Sequence, residues 1–178
     1  MKRKTSRAFT LIETIAVIAL LAVITAAVAV SLSGAKSTAD LDGVAERFIA
    51  LDRGTREVAR RFGRRPSLRF ELNQGTVRRL DDVDGDGNRT TPLVLGGARV
   101  AKLIVRGESV GYGEASVPFS DGGRSPSYAV LLTNKAGQRW VAFAGLTGQA
   151  LVLGDERQVR DILSADSASA TAARADAR

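Results

Sequence analysis

The sequence predicts an α+β chain: one long N-terminal helix, transmembrane and then amphipathic, docked against a globular head of antiparallel β structure. Three observations carry this. Ile15–Leu32 is an unbroken run of uncharged, mostly apolar residues. Beyond it, Leu41, Val44, Phe48, Leu51, Thr55, Val58 and Phe62 recur at alternating spacings of three and four, one stripe on an α-helix. After Gly63 the pattern changes to short runs separated by turn residues, the mark of antiparallel strands.

The apolar run comes first. At roughly 1.5 Å per residue, a helix over Ile15–Leu32 covers about 27 Å, close to the hydrocarbon thickness of a bilayer. Lys2, Arg3, Lys4 and Arg7 precede it with no acid among them, which predicts a cytoplasmic N-terminus and a head on the other side. The net charge of +7 falls to +3 without those four, so the basic balance is partly a targeting feature. Glu13 is the one charge near the run. A carboxylate at mid-membrane costs on the order of 2.5–3.5 kcal/mol on insertion scales, and less near the interface. Two physical readings fit it. Glu13 sits at headgroup level, favoured by the helix N-terminal dipole; or a neighbouring copy supplies a cation that neutralises it in one register only. An ordinary secretory signal cut near Ala27-Val28-Ala29 is a further reading of the run, with an apolar region longer than usual.

The residues Arg7-Ala8-Phe9-Thr10-Leu11-Ile12-Glu13, leading into the apolar run, resemble the type IV prepilin signal shared by type IV pilins and type II secretion pseudopilins. The resemblance implies cleavage between Ala8 and Phe9 by a prepilin peptidase on the cytoplasmic side. It implies N-methylation of the new N-terminal Phe9, and Glu13 as the residue that registers one subunit against the next. It further implies a bacterial inner-membrane protein with a periplasmic head, assembled into an envelope filament. The family usually has Gly before the cut, where this chain has Ala8, and many pilins have a kinking Pro near the end of the run, where Val30 and its neighbours offer none.

The domain plan that follows is a basic leader over 1–8, an assembly helix over 9–34, its amphipathic continuation over 35–63, a β-rich head over 64–163 and a low-complexity tail over 164–178. In the continuation, Asp52, Arg53, Arg56 and their charged neighbours fall outside the apolar stripe and are expected on the solvated side. Gly43 and Gly54 each cost about 1 kcal/mol relative to Ala, so this half depends on tertiary packing. The helix is predicted to end at Gly63, before Arg64-Arg65-Pro66.

In the head, Leu68–Leu72 alternates, Asn73-Gln74-Gly75 turns it and Thr76–Leu80 pairs back. Pro92–Leu95 and Arg99–Val105 read as strands, Gly107–Gly113 as a loop and Ser116–Phe119 as a short strand. Ser127–Thr133, Gln138–Ala144 and Gln149–Leu153 form a meander, with Tyr128, Val130 and Leu132 on one face and Trp140, Ala142 and Ala144 on one face of the next strand. Tyr128 and Trp140 are expected in the core or at its rim. Glu156–Leu163 reads as a brief helix. The final fifteen residues hold seven Ala and three Ser and no large apolar group, and are expected to be mobile.

Phe119, Asp121-Gly122-Gly123, a strand, a Gly-bearing turn, a strand, Thr147-Gly148 and a last strand resemble the H-type minor pseudopilins, the GspH/FimT-like family. This resemblance covers about Val117–Leu153. It implies a pilin-like fold, the N-terminal helix packed on a small antiparallel β-sandwich head, and a minor pseudopilin of a type II secretion pseudopilus, with other pseudopilin or pilin subunits, the prepilin peptidase, the membrane and an assembly platform as partners. A minor type IV pilin for adhesion or DNA uptake, and a membrane-anchored β domain that binds a ligand without assembling, are the alternatives.

Asp82, Asp84, Asp86 and Asn88 have the spacing of a calcium loop, with Gly87 for the sharp turn. The twelfth position, where a bidentate Glu closes an EF-hand, is Leu93, so the loop is incomplete without an oxygen from elsewhere. Otherwise it is a Gly/Asp-rich surface turn that needs no metal, and no other cofactor is expected. Arg47–Arg79 contains ten Arg against three acids, a composition compatible with nucleic acid, but few aromatics are interleaved for stacking. A solvated face with protein contacts is the preferred reading, and nucleic acid is not expected as a partner. His and Cys are both absent, which removes His-based metal sites, Ser-His-Asp triads and any disulfide framework. With no nucleophile–base pair and no phosphate loop, no enzymatic activity is expected.

Overall fold

A computed structural model describes residues 11–81 and 92–175, with the side chains of 28–38 and 166–175 outside the description. The elements are α1 (Leu11–Phe62), β1 (Ser67–Glu71), β2 (Thr76–Leu80), β3 (Arg99–Val105), β4 (Glu108–Val110), β5 (Glu114–Pro118), β6 (Tyr128–Asn134), β7 (Gly137–Phe143), β8 (Ala150–Leu153) and α2 (Glu156–Ala175). The chain divides into two units, residues 1–36 and 37–178, so α1 contributes to both. The α+β class with a long N-terminal helix and antiparallel sheets is as the sequence predicts.

In the second unit, two antiparallel sheets share one core with the C-terminal half of α1. One sheet has the order β2-β1-β5, the other β4-β3-β6-β7-β8. Leu41, Val44, Ala45 and Phe48 of α1 pack in a single cluster with Leu68, Phe70, Val77 and Val117 of the small sheet. Val100, Leu103, Tyr128, Val130, Leu132, Val141 and Phe143 of the large sheet complete it. Phe48 sits at its centre, with ring centroids 6.0 Å from Phe70 and 5.6 Å from Phe143; Tyr128 stacks on Phe143 at 4.7 Å. Each well-placed aromatic pair adds about 0.5–1.5 kcal/mol beyond burial.

The buried face of α1 follows the stripe that the sequence suggests at Leu41, Val44, Phe48 and Thr55 and turns away from it towards Phe62. The spacings from Leu41 to Phe62 follow a 3.5-residue repeat. A straight α-helix drifts from that repeat by about 20° per heptad, or about 60° over three. The residues buried in the structure are Leu41, Val44, Ala45, Phe48, Asp52, Thr55, Arg56 and Ala59, a 3.6-residue period. Phe62 has rotated away from the core and is 62% exposed. Asp52 and Arg56, expected in solvent, are inside.

The large sheet has two buried faces. Ile104, Ala129, Trp140 and Ala142 point away from the main core and meet Val159 and Leu163 of α2. In β3 the register shifts between Val100 and Lys102. The extra residue, Ala101, allows Val100 and Leu103 both to face the main core, while Lys102 and Ile104 share the α2 side. Lys102 Nζ reaches Glu156 at 2.9 Å. Asp155 caps α2, its side chain accepting from the Arg157 amide at 3.0 Å.

Three expectations change. Pro92–Leu95 is no strand: Pro92 makes an isolated bridge to Arg78, and the Leu93 amide donates to Val77 O at 3.0 Å. Pro92 has no N–H to continue a ladder. The Gly107–Gly113 stretch contains β4, paired with β3 across the Arg106-Gly107 turn. The second helix runs past Leu163 to Ala175, consistent with the high helix propensity of the Ala-rich segment.

The rotated helix face sets two phenylalanines apart. Phe48→Ala is expected to cost about 3–5 kcal/mol, the range for a large core truncation, and Phe62→Ala less than about 0.5 kcal/mol. Urea unfolding of the detergent-solubilised chain measures both; equal costs would restore the 3.5-residue stripe.

Candidate functional site

Two regions carry candidate function: the apolar surface at the start of α1 and a buried polar cluster in the head. From Leu11 to Ala27 every side chain of α1 is exposed. Leu11, Ile12, Ile15, Ile18, Leu20, Leu21, Val23 and Ile24 are all more than half open. An apolar helix surface of this extent is not left in water; it is built to be covered. Thr25 returns its hydroxyl to Leu21 O at 2.7 Å, so that polar group is satisfied within the helix. Glu13 lies in the first turn of α1, the end where the helix dipole favours a negative charge. Ala8 and Phe9 lie outside the described residues.

Among the described residues no helix is long and apolar enough to cross a membrane. The apolar run of the sequence continues beyond Ala27 to Leu32, into residues whose side chains are outside the description. Asp82, Asp84, Asp86 and Asn88 also lie outside the described residues, and no group of metal-ligating side chains occurs among those that are described.

In the head, the rotation of α1 buries Arg56 and Asp52, 3% and 1% exposed. Arg56 Nε donates to Asp52 Oδ2 at 2.7 Å and Nη2 to Asp52 Oδ1 at 3.4 Å. Nη1 donates to Gly123 O at 3.0 Å and Gly145 O at 2.9 Å, and Nη2 to Ser125 Oγ at 2.9 Å. All five guanidinium N–H groups are therefore matched. The Arg56 guanidinium also lies 5.2 Å from the Phe119 ring centroid. Tyr128 Oη donates to Asp52 Oδ1 at 2.7 Å.

One arginine thus ties α1 to the turn before β6 and to the β7–β8 turn. The glycines of those turns leave room for it. Gly148, at φ +74°, would place a Cβ 2.8 Å from Arg56 Cδ; Gly123, at φ +72°, would place one 2.8 Å from Arg56 O. Of the positions quoted from the sequence, Phe119, Gly123 and Gly148 therefore meet at a single side chain. Sequence reasoning missed that side chain. The signal was there: an Asp and an Arg four residues apart on the 3.6-residue continuation of an apolar stripe.

Comparison with known proteins bears on the first region. Residues 3–29 match the family model for the prokaryotic N-terminal methylation motif. The chain carries a prepilin-type signal. The matched segment includes Ala8, Phe9 and Glu13 and runs into the exposed apolar helix, so motif and surface are parts of one device. No curated protein matches the chain by sequence. Among solved structures, the minor pseudopilin EpsH from the type 2 secretion system of Vibrio cholerae is similar at 15% identity and a TM-score of 0.46. That similarity covers 65% of this chain and 97% of that one, and is too slight to carry a role across.

Removing one partner from a buried ion pair leaves the other charge stranded. Arg56→Met is expected to cost about 3–5 kcal/mol, against less than about 0.5 kcal/mol for Arg60→Met one turn on; urea unfolding reads the difference. Tyr128 gives a pH signature. Burial, then the Asp52 charge and its hydrogen bond, raise the phenol well above its ordinary value, despite the opposing pull of Arg56. The folded state thus holds this proton more tightly than the unfolded state. The resulting stability is whole below about pH 10 and is lost as pH rises from there towards the folded value. Tyr128→Phe should flatten the alkaline limb of stability against pH, and an unchanged limb would remove Tyr128 from its cause.

Proposed function

We propose that the chain is a minor pseudopilin-type structural subunit of a type II secretion pseudopilus. The single observation that supports this reading is the methylation motif over residues 3–29, running into a helix whose apolar side chains are exposed on every side. The protein inserts by that helix with its N-terminus in the cytoplasm and its head in the periplasm. A prepilin peptidase removes residues 1–8, and the new amine of Phe9 is methylated. Lateral packing with other pilin-like subunits then covers the apolar helix, and an assembly platform moves the subunit out of the membrane. The head presents its surface to partners, and no catalytic step is assigned to it.

Glu13 sets the register. Four residues after the new N-terminus, its carboxylate meets the Phe9 amine of an adjacent copy where water is scarce. Out of register, the carboxylate does not meet that amine, at a cost of up to about 2.5–3.5 kcal/mol per subunit at mid-membrane and less near the interface. That difference is enough to exclude most misaligned packings.

The intact mass of the protein recovered from membranes tests processing: loss of residues 1–8 and gain of one methyl group are expected. A full-length, unmethylated mass would leave only an anchored head and overturn the reading. In the same cells Glu13→Ala should be inserted and cut yet fail to enter a filament. Filament entry at the wild-type level would remove Glu13 from the registration step.

A further inference from the structure

The C-terminal end of α1 and the Ser120–Arg124 turn place five exposed arginines together: Arg60, Arg61, Arg64, Arg65 and Arg124. The Phe119 amide donates to Pro66 O at 2.9 Å, holding the turn against the segment that follows the helix. Arg60 lies against the turn, its Cγ 3.0 Å from where a Cβ on Gly123 would stand. Arg65 reaches Asp121 at 3.7 Å and Arg61 reaches Glu57 at 3.1 Å, all four side chains being more than half exposed. Arg60, Arg64 and Arg124 have no carboxylate partner among the described residues. Arg64 instead lies 5.5 Å from the centre of the exposed Phe62 ring. With five arginines against Glu57 and Asp121, the rim keeps an excess of positive charge, and like charges crowded together repel one another and weaken the fold.

We propose that this rim is a docking surface for a partner protein that presents clustered carboxylates. Each guanidinium is a planar fork that takes a carboxylate in two parallel hydrogen bonds, a geometry that lysine would not supply. Two observations favour a protein over a nucleic acid. Glu57 and Asp121 stand within the rim, where they would repel a track of phosphates but could be met by cations on a protein surface. Phe62 is the one aromatic of the rim, with Arg64 over its ring, and a lone ring offers a strand of bases no stacking platform. The inference goes beyond the assembly reading and stands on residues of the head alone, so either can fail without the other.

The test uses the full chain in neutral detergent and a fluorescent peptide of alternating glutamate and serine at about 0.15 M salt. The triple variant Arg60→Gln, Arg64→Gln, Arg124→Gln should lose about tenfold in affinity, the sum of three modest ion pairs. The control Arg47→Gln, Arg106→Gln, Arg157→Gln removes the same charge elsewhere and should stay within about twofold. Both should melt with the wild type, and Arg64→Glu alone provides a milder variant should the triple one melt lower. Absence of peptide binding, or equal losses in the two triple variants, would overturn the proposal. A short DNA duplex of equal charge that displaced the peptide more strongly than unlabelled peptide would make the rim a nucleic-acid surface instead.

Discussion

A guanidinium taken out of water must be surrounded by acceptors, and the head of this protein is built around that requirement. Arg56 enters the interior on α1 and meets Asp52, two turn carbonyls, a serine hydroxyl and an aromatic face. Its neighbours are separated from it by 67 and 89 positions in the chain at Gly123 and Gly145. The ion pair itself need not be a net gain over well-packed apolar side chains. Its contribution is directional: hydrophobic contacts alone would let the helix slide or turn against the sheets, whereas five matched donors allow one setting. The glycines at 123 and 148 follow from that setting, because a side chain at either would occupy the space Arg56 fills.

The same helix carries two surfaces with different requirements. In the first unit its described side chains are mostly apolar and exposed throughout, and no described residue covers them. In the second unit one face is buried in a core of aromatic and aliphatic side chains and the other carries charge. The polar cluster lies wholly in the second unit and uses none of the exposed apolar residues of the first.

Much of the plan was legible from residue order alone. The strands of the C-terminal meander, the hairpin of β1 and β2, and the end of α1 at Gly63 follow from period-two alternation and from turn residues, both local properties. The strand expected at Pro92–Leu95 was not there, because a four-residue apolar run says nothing of whether a neighbour offers it a ladder. The three-residue β4 was hidden among glycines for the converse reason, its pairing with β3 being supplied by the hairpin geometry. Trp140 and Tyr128 both read as core residues, but they lie on opposite faces of the large sheet, and a second helix was needed to bury Trp140.

The sequence by itself determined the N-terminal motif, since residues 3–29 are a pattern of neighbours along the chain and need no fold to be recognised. It also determined the α+β class, because periodicity is a property of neighbours along the chain. Tertiary structure alone decided which charges of α1 go inside. Polarity marks Asp52 and Arg56 as solvent residues, and only the approach of two distant turns, with the 3.6-residue rotation of a straight helix, makes their burial favourable.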